Sequence, residues 1–404
     1  MRKLANPDRG IVECYMKSMN KVVYPCSVLL LCLCCDVSLA QENKYFLKPI
    51  KPTGKLLPVG SLSERNHKFH FVTYSPDGKF VAAGTAYGDV IVWDAATGSK
   101  RYHYKAKDPG IMSFVNSLSF SPDGRYLSVT QHWESDIRLW HMLTGAPMTT
   151  HKLGLLNVVT EVVFHPKQNM YAVVYNAIVT VSIDGVEQNN THQMSLYQYP
   201  SGKLVESHQF KEKEEVTKLT FSPDGRLAAL GYTDGSFALW NVKEKKTISK
   251  VTGQHKSIND LQFSHNGQFL ATVGGMDNQV KIWNLKSTDN IQRHKLPDSP
   301  IRVIKGLREI VGKVRWSKDD KYLALAQYEP GDRTDTFHDI SIRNVKTGKE
   351  VVNFGSGEYV VDGKTKYYMG GIAMAFSPDG KMLATTHPDG LVRLWSLPKL
   401  LAGK

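Results

Sequence analysis

The stretch Phe221-Ser222-Pro223-Asp224-Gly225 recurs along the chain and indicates how the chain folds. Six further copies, some complete and some degenerate, begin at Tyr74, Phe120, Phe164, Phe263, Trp316 and Phe376. In the complete copies an aromatic residue ends an apolar run, proline presets φ, and Asp-Gly supplies a tight reversal. A run rich in leucine, valine and alanine follows. Each copy therefore predicts a strand, a turn and a second strand.

A second marker, usually a tryptophan followed by a polar residue, comes after each copy. The markers are Trp93-Asp94, Trp140-His141, Tyr197-Gln198, Trp240-Asn241, Trp283-Asn284, Arg343-Asn344 and Trp395-Ser396. An apolar run precedes each tryptophan, and a polar turn follows most of the markers. A period of roughly 40–45 residues that ends in a Trp-Asp dipeptide is typical of propeller blades with four strands each.

On these paired markers the chain resembles the WD-repeat family of β-propellers, over about residues 55–398. The resemblance implies an all-β fold, a closed ring of seven blades with four antiparallel strands per blade. In this family the strand before the first repeat completes the last blade. We therefore expect the segment from Lys55 to Leu62 to close the ring, because the chain stops soon after Trp395. One propeller is expected over residues 55–404, after a lead-in segment at 41–54.

Residues 1–40 differ from the rest of the chain. Lys21 precedes an apolar run from Val22 to Cys35, and Ser38 and Ala40 stand where a cleavage site would need small residues. This pattern predicts a secretory signal peptide over residues 1–40, with Met16 or Met19 as a possible true start. All five cysteines lie in this leader. We expect an exported protein of bacterial type, periplasmic or secreted, and an uncleaved membrane anchor is the alternative.

The formal net charge of +13 would suit nucleic acid, an anionic lipid surface or an acidic protein as a partner. The lysines are spread over most repeats and often stand beside glutamate, which indicates a solvated exterior. We therefore expect no nucleic acid partner, a weak attraction to anionic envelope surfaces and a monomeric propeller.

The sequence after the leader has no HExxH, GxSxG, P-loop or GxGxxG motif and no Cys/His metal spacing. We therefore predict a protein that is not an enzyme, with no cofactor and no metal. A second interpretation remains open, in which the central channel serves an enzyme or binds a small ligand or a metal. The histidines that could reach the top face and supply a His/Asp metal site there are His192, His294, His338 and His387, and isolated surface histidines are the alternative.

The family resemblance also implies a hydrogen-bonded network within a blade, formed by His, Ser or Thr, Asp and Trp. The complete set in this chain is His255, Thr272, Asp277 and Trp283. A structural role fits this spacing, and a catalytic His255–Asp277 pair is the alternative interpretation.

Two kinds of turn vary little in length: the turns of the Phe-Ser-Pro-Asp-Gly type and the polar turns that follow the markers. The family places both kinds on one face of the ring. All length variation falls in the other connections, which the resemblance places on the opposite face, the top face. The residues predicted to bind a protein partner there are Tyr87, Trp133, Tyr232, Met276, Phe337, Tyr367 and Tyr368. Exposed aromatic side chains dominate the energetics of interfaces, so we predict a rigid protein-binding scaffold.

Overall fold

The computed structural model describes most of the predicted propeller. The described residues are 60–63, 69–105, 115–131, 136–153, 157–179, 189–210, 215–252, 255–275, 277–285, 296–307, 310–328, 337–354, 357–361, 364–368, 373–387 and 390–402. The predicted signal peptide and the lead-in segment lie outside these residues and stay predictions. No helix within the described ranges is long and apolar enough to cross a membrane.

Seven four-stranded antiparallel sheets make up the fold, and each sheet is one blade. Blade one is β2 (Phe69–Tyr74), β3 (Phe80–Thr85), β4 (Val90–Asp94) and β5 (Lys100–Tyr104); blade two is β6 (Val115–Phe120), β7 (Tyr126–Gln131), β8 (Asp136–His141) and β9 (Pro147–Lys152); blade three is β10 (Asn157–Phe164), β11 (Met170–Val179), β12 (Asn189–Gln198) and β13 (Lys203–Phe210); blade four is β14 (Val216–Phe221), β15 (Leu227–Tyr232), β16 (Phe237–Asn241) and β17 (Lys246–Val251). Blade five is β18 (Ile258–Phe263), β19 (Phe269–Gly274), β20 (Val280–Asn284) and β21 (Arg302–Ile304); blade six is β22 (Ile310–Trp316), β23 (Tyr322–Tyr328), β24 (Phe337–Asn344) and β25 (Glu350–Asn353); blade seven is β28 (Met374–Phe376), β29 (Met382–Thr386), β30 (Leu391–Ser396) and, from the start of the chain, β1 (Gly60–Ser63). A separate hairpin, β26 (Gly357–Val361) and β27 (Lys364–Tyr368), lies between blades six and seven in the chain, and a short helix α1 (Leu397–Ala402) follows β30.

The recurrent turn is held by its own serine and aspartate. In the copy that follows β2, the Ser75 hydroxyl donates to the Asp77 carboxylate at 2.6 Å and accepts from the Phe80 N–H at 2.9 Å. The same carboxylate accepts from the Lys79 N–H, and Gly78 has the positive φ that glycine adopts without strain. The Ser-to-Asp bond recurs from Ser121, Ser222, Ser317 and Ser377, and Ser264 makes it to an asparagine. Local chemistry therefore fixes the reversal between the first two strands of these blades.

The core is divided into seven clusters, and each cluster lies between two neighbouring blades. One cluster joins blade seven to blade one and includes Trp93, Phe69 and Leu394, so the blades form a closed ring. The turns touch as well: His165 Nε2 lies 2.9 Å from the Gly225 carbonyl oxygen of the next blade. Because both faces of each sheet are covered, the buried strands read as nearly continuous apolar runs.

The strand predicted before the first repeat is present over Gly60–Ser63, and residues 55–59 of the predicted segment lie outside the described residues. It pairs antiparallel with β30, from Gly60 opposite Leu394 to Ser63 opposite Leu391. The Leu62 side chain is buried in the cluster between blades one and seven. The contribution of this strand to ring closure remains a prediction that truncation can test.

Candidate functional site

One end of the ring carries the elongated strands. In blade three, β11 and β12 continue to pair as far as Val179 opposite Asn189, four residues beyond the level of Tyr175. At about 3.3 Å per residue this hairpin extends about 13 Å past the ends of the corresponding strands in blade four. The β26–β27 hairpin enters where the fourth strand of blade six ends and the first strand of blade seven begins. In an antiparallel blade the second and fourth strands run in the same direction. The connection from the second strand to the third and the connection from the fourth strand to the next blade therefore leave at the same end of the ring. We call this end the top face.

The structure places the predicted top-face residues unequally. Tyr87 lies in the turn between β3 and β4 with 44% of its surface exposed, as a binding anchor requires. Trp133 and Met276 lie outside the described residues. Phe337 begins β24, and Tyr367 and Tyr368 end β27, but the description of these three covers the backbone alone.

The prediction for Tyr232 is wrong, because its side chain is fully buried. Tyr232 is the last residue of β15 and pairs with Val216 of the first strand, so it belongs to the sheet and the loop begins after it. Its ring packs in the cluster between blades three and four, and the Lys250 ammonium lies 4.6 Å from the ring centroid. Tyr232 is therefore a packing residue and is not available to a partner.

The four residues of the predicted blade network form one chain of hydrogen bonds in blade five. His255 Nδ1 lies 2.5 Å from the Asp277 carboxylate, and His255 Nε2 lies 3.0 Å from the Thr272 hydroxyl. The Trp283 indole N–H donates to the same hydroxyl at 3.0 Å. Burial lowers the pKa of His255, against the opposing effect of Asp277, so the ring is neutral near pH 7. A neutral ring that donates to Asp277 and accepts from Thr272 leaves each group with a suitable partner.

His387 supplies a related contact in blade seven, from a different position in the blade. Its side chain is buried, and its Nε2 lies 2.6 Å from the Thr385 hydroxyl, which accepts from the Trp395 indole N–H at 2.7 Å. The expectation that His387 reaches a metal site on the top face is therefore wrong. His294 and the side chains of His192 and His338 lie outside what the structure describes. Within the described ranges no group of three or more His, Cys, Asp or Glu residues is arranged to hold a metal ion.

The first strands of the blades surround the central channel, and those of successive blades contact one another all round the ring. In six of them one residue bulges out of the pairing register: His70, Asn116, Thr160, Thr217, Asn259 and Gly312. The residues directly after these bulges share one level in the channel. We call this set the channel layer: Phe71, Ser117, Glu161, Lys218, Asp260 and Lys313, with Ala373 at the corresponding position of blade seven.

Acceptor side chains of the channel layer bind the inner edge of the next blade. The Glu161 carboxylate accepts from the Leu219 N–H at 3.1 Å, and the Asp260 carboxylate accepts from the Val314 N–H at 3.0 Å. The Ser117 hydroxyl lies 3.3 Å from the Val162 N–H in the same geometry. Inner-strand N–H groups that have no strand beside them would otherwise need water, so these side chains join successive blades.

The same layer carries opposite charges close together. Lys218 Nζ lies 3.5 Å from Glu161, and an Arg315 guanidinium nitrogen lies 2.5 Å from Asp260. Lys313 makes a different contact: its ammonium lies 4.3 Å from the centroid of the Phe71 ring. The sequence interpretation missed this layer because the charges stand on strands of different blades, and the bulges set which side chains share a level.

Exposed apolar side chains also occur away from the top face. Leu143 in the turn after β8 is 78% exposed, and Leu204 and Val205 on β13 are about half exposed. They lie on neighbouring blades, on the outer strand or at the turn end. Any test of a binding face has to include them.

Models of known repeat families match parts of the chain. The model described as "WD domain, G-beta repeat" matches residues 58–94, 107–141, 245–284 and 365–396. The model described as "Anaphase-promoting complex subunit 4 WD40 domain" matches residues 186–259. The matches therefore fall on both halves of the ring.

Relatives of known name share parts of the sequence. A guanine nucleotide-binding protein subunit beta of Nicotiana tabacum is 27% identical over 216 residues, which are 51% of this chain and 54% of that protein. Pre-mRNA-processing factor 19 of Oryza sativa subsp. japonica is 33% identical over 97 residues, 24% of this chain and 18% of that protein. The chain spans about half the length of the β-subunit relative. These relatives are eukaryotic, so a bacterial, exported type remains a prediction.

Among solved structures, the chain is similar to the β-propeller domain of Cps50 (Swd1) of Myceliophteria thermophila. The TM-score is 0.65 at 17% identity, over 84% of this chain and 99% of that domain. At this identity the likeness supports the fold alone.

Proposed function

We propose, from the premise that this chain belongs to the WD-repeat family of β-propellers, that it is a non-catalytic scaffold that binds a protein partner through its top face. The observation that carries the proposal is the asymmetry of the two ends. The extended β11–β12 hairpin and the added β26–β27 hairpin both leave at the top face, whereas the other end has short turns of repeated geometry.

A closed ring suits this role for a physical reason. Each blade is buried between two others, so the loops project from a frame that does not have to become ordered when a partner binds. Pre-organisation of this kind reduces the entropic cost of association. Length changes in loops leave the core unaltered, which allows one end of the ring to acquire specificity.

The residues proposed as anchors are the predicted set without Tyr232. They are Tyr87, Trp133, Met276, Phe337, Tyr367 and Tyr368. Aromatic side chains and methionine are enriched in the buried centres of interfaces. For Tyr87 the exposure of its side chain in the structure supports this role.

The test begins with cross-linking of the intact protein in its own host and identification of the cross-linked partner by mass spectrometry. Binding of that purified partner is then measured by calorimetry for Tyr87→Ala, Trp133→Ala and Tyr367→Ala. We expect each to lose at least about 1 kcal/mol, a fivefold or larger increase in Kd.

Two kinds of control define the face. Lys203→Ala, on the exposed start of β13, should leave the Kd unchanged. Leu143→Ala and Leu204→Ala probe the exposed apolar side chains outside the top face. If these two variants weaken binding and the top-face variants do not, the proposed face is wrong.

The same proposal includes export of a monomeric propeller, supported by the leader with its apolar run from Val22 to Cys35. The intact mass of protein from its own host should correspond to a chain that begins at Gln41. A mass that retains the apolar run would indicate a membrane anchor instead. Light scattering of the purified protein should give the mass of one chain.

A further inference from the structure

The channel layer is chemically uneven around the ring. On one side, blades two, three and five use Ser117, Glu161 and Asp260 as acceptors for the inner-edge N–H of the next blade. In blade five the Leu261 N–H binds the carboxylate of Asp260 beside it. Within the described part of the chain, these bonds satisfy the inner-edge N–H groups of blades three to six at this level.

On the other side of the channel, the channel-layer side chains next to the inner-edge N–H groups of blades seven, one and two cannot accept a hydrogen bond. They are Lys313 of blade six, Ala373 of blade seven and Phe71 of blade one. The inner-edge N–H groups of these three blades belong to Met374, Val72 and Leu118. Their strand register matches that of Leu219 and Val314, whose N–H groups point away from the second strand and into the channel. Among the described residues no acceptor binds these three N–H groups.

Lys313 lies in this same sector. Its ammonium rests over the Phe71 ring of blade one, and in the described part of blade seven the residue at the channel layer and the one two positions beyond it are alanines, Ala373 and Ala375. The described residues give Lys313 no carboxylate within ion-pair distance, because Glu161 pairs with Lys218 and Asp260 pairs with Arg315. Among the described residues, this sector of the channel therefore combines an ammonium group with inner-edge N–H donors and offers no carboxylate paired with that ammonium.

The balance of charge favours an anion as the occupant. Three cationic side chains, Lys218, Lys313 and Arg315, face two carboxylates at and near the channel layer, and both carboxylates already accept N–H groups. The Arg315 side chain, two residues beyond Lys313 on the same strand, is 31% exposed, so solvent reaches this part of β22. Backbone N–H groups that converge with an ammonium form the usual donor set for phosphate, sulfate and carboxylate oxygens.

We infer that the central channel binds a small oxyanion between blades six and one, held by the Lys313 ammonium and by the inner-edge N–H groups of Met374 and Val72. The site is separate from the top face, so the proposed scaffold would bind a small molecule at one site and its protein partner at another. The anion would take the place of the Phe71 ring as the main partner of the ammonium, and Ala373 would leave room for it. No covalent step is involved.

The electrostatics of Lys313 give this site a defined pH dependence. Burial lowers the pKa of Lys313 to about 7; nearby Lys218 and Arg315 also lower it, whereas Asp260 and Glu161 raise it. A bound anion stabilises the ammonium form, so binding takes up a proton and affinity declines as the pH rises above about 7. From pH 6.5 to 8.5 the protonated fraction, and with it the affinity, should fall about twentyfold.

Sulfate is the probe of choice because its charge is constant over this pH range. Calorimetry of the full chain with sulfate, at ionic strength balanced with chloride, should show one binding site at pH 6.5 and about twentyfold weaker binding at pH 8.5. Acetate titrated in the same way distinguishes a carboxylate ligand from an inorganic oxyanion.

Three variants complete the test. Lys313→Met keeps an apolar stem against Phe71 and should abolish sulfate binding, whereas Lys313→Arg should retain binding and lose its pH dependence. Lys250→Met is the matched control, since Lys250 also rests over an aromatic ring but on the outer strand of blade four. Equal sulfate affinity in the wild type and in Lys313→Met, or equal affinity at both pH values, would overturn the inference.

Discussion

Replacement of His255 by alanine tests whether the blade network is a structural device. The side chain is wholly buried and makes two hydrogen bonds, one to the Asp277 carboxylate and one to the Thr272 hydroxyl. A bond to a charged group contributes about 1.5–3 kcal/mol and a neutral one about 0.5–1.5 kcal/mol. In the variant, Asp277 would still accept a hydrogen bond from the Gln279 N–H, and Thr272 would still accept one from the Trp283 indole, so neither group would be left without a hydrogen bond. We therefore expect a loss of about 2–3 kcal/mol in the free energy of unfolding.

The assay is urea or guanidinium unfolding of the wild type and of His255→Ala, followed by far-UV circular dichroism. His265→Ala is the matched control, because His265 also contacts a carboxylate, Asp320 at 3.2 Å, but on an exposed turn. That pair should be worth less than about 1 kcal/mol. Partner binding should be unchanged in both variants.

The reasoning would be refuted if His255→Ala were no less stable than His265→Ala. A catalytic role for His255 and Asp277 predicts the reverse pattern, in which an activity is lost while the unfolding midpoint stays the same. A double-mutant cycle with Asp277→Asn measures the coupling of the pair directly, and an energy near zero would also count against the network.

Three further predictions follow from particular contacts. Deletion through residue 63 removes the outermost strand of blade seven and exposes the edge of β30, so we expect aggregation and a lower melting temperature; an unchanged cooperative melt would show that the strand is dispensable. Burial, helped by Arg393, lowers the pKa of His387 well below its usual value, so below about pH 6.5 the unfolded chain binds a proton that the folded chain does not. The free energy of unfolding should therefore fall as the pH drops below about 6.5, by up to about 1.4 kcal/mol per pH unit. His387→Gln should make that slope shallower in denaturant titrations at several pH values, and an unaltered slope would contradict the assignment. A Cβ at Gly84 would lie 2.8 Å from the Cβ of Val115 in the next blade, so Gly84→Ala should lower the free energy of unfolding by about 1–3 kcal/mol. Val115→Ala in the same chain should recover part of that loss, and strictly additive losses in the double variant would argue against the clash.

The fold could be predicted from the sequence because its decisive chemistry is local. The Ser75–Asp77 bond and its counterparts form within five residues, so a short motif specifies the turn without reference to the rest of the chain. The markers then set the period, and seven repeats of that length leave few architectures open. The added hairpins were likewise visible as extra length between the second and third strands and between blades.

Side-chain environment was harder to predict, because it depends on single-residue register. Tyr232 stands at the last paired position of β15, and one residue further along it would have been in the loop. The channel layer depends on bulges in the first strands, which shift each following side chain to the other face of the sheet. Glu161 and Lys218 are 57 positions apart in sequence, and no local pattern announces that pair.

His387 shows a related limit. The family spacing places the histidine of the network before the first strand of a blade, as His255 does. In blade seven the histidine follows the second strand instead and reaches its threonine from two residues away. A search for one fixed spacing therefore detects one of these contacts and misses the other.

The pairing of β1 with β30 has a mechanical consequence. Gly60 lies opposite Leu394, so the segment that precedes β1 and the segment that follows β30 leave this strand pair at the same end. Tension applied through those two segments would peel the pairs apart one after another, beginning at Gly60, and would not shear all of them at once. The β1–β30 pair should therefore open at low force when it is pulled from these two segments.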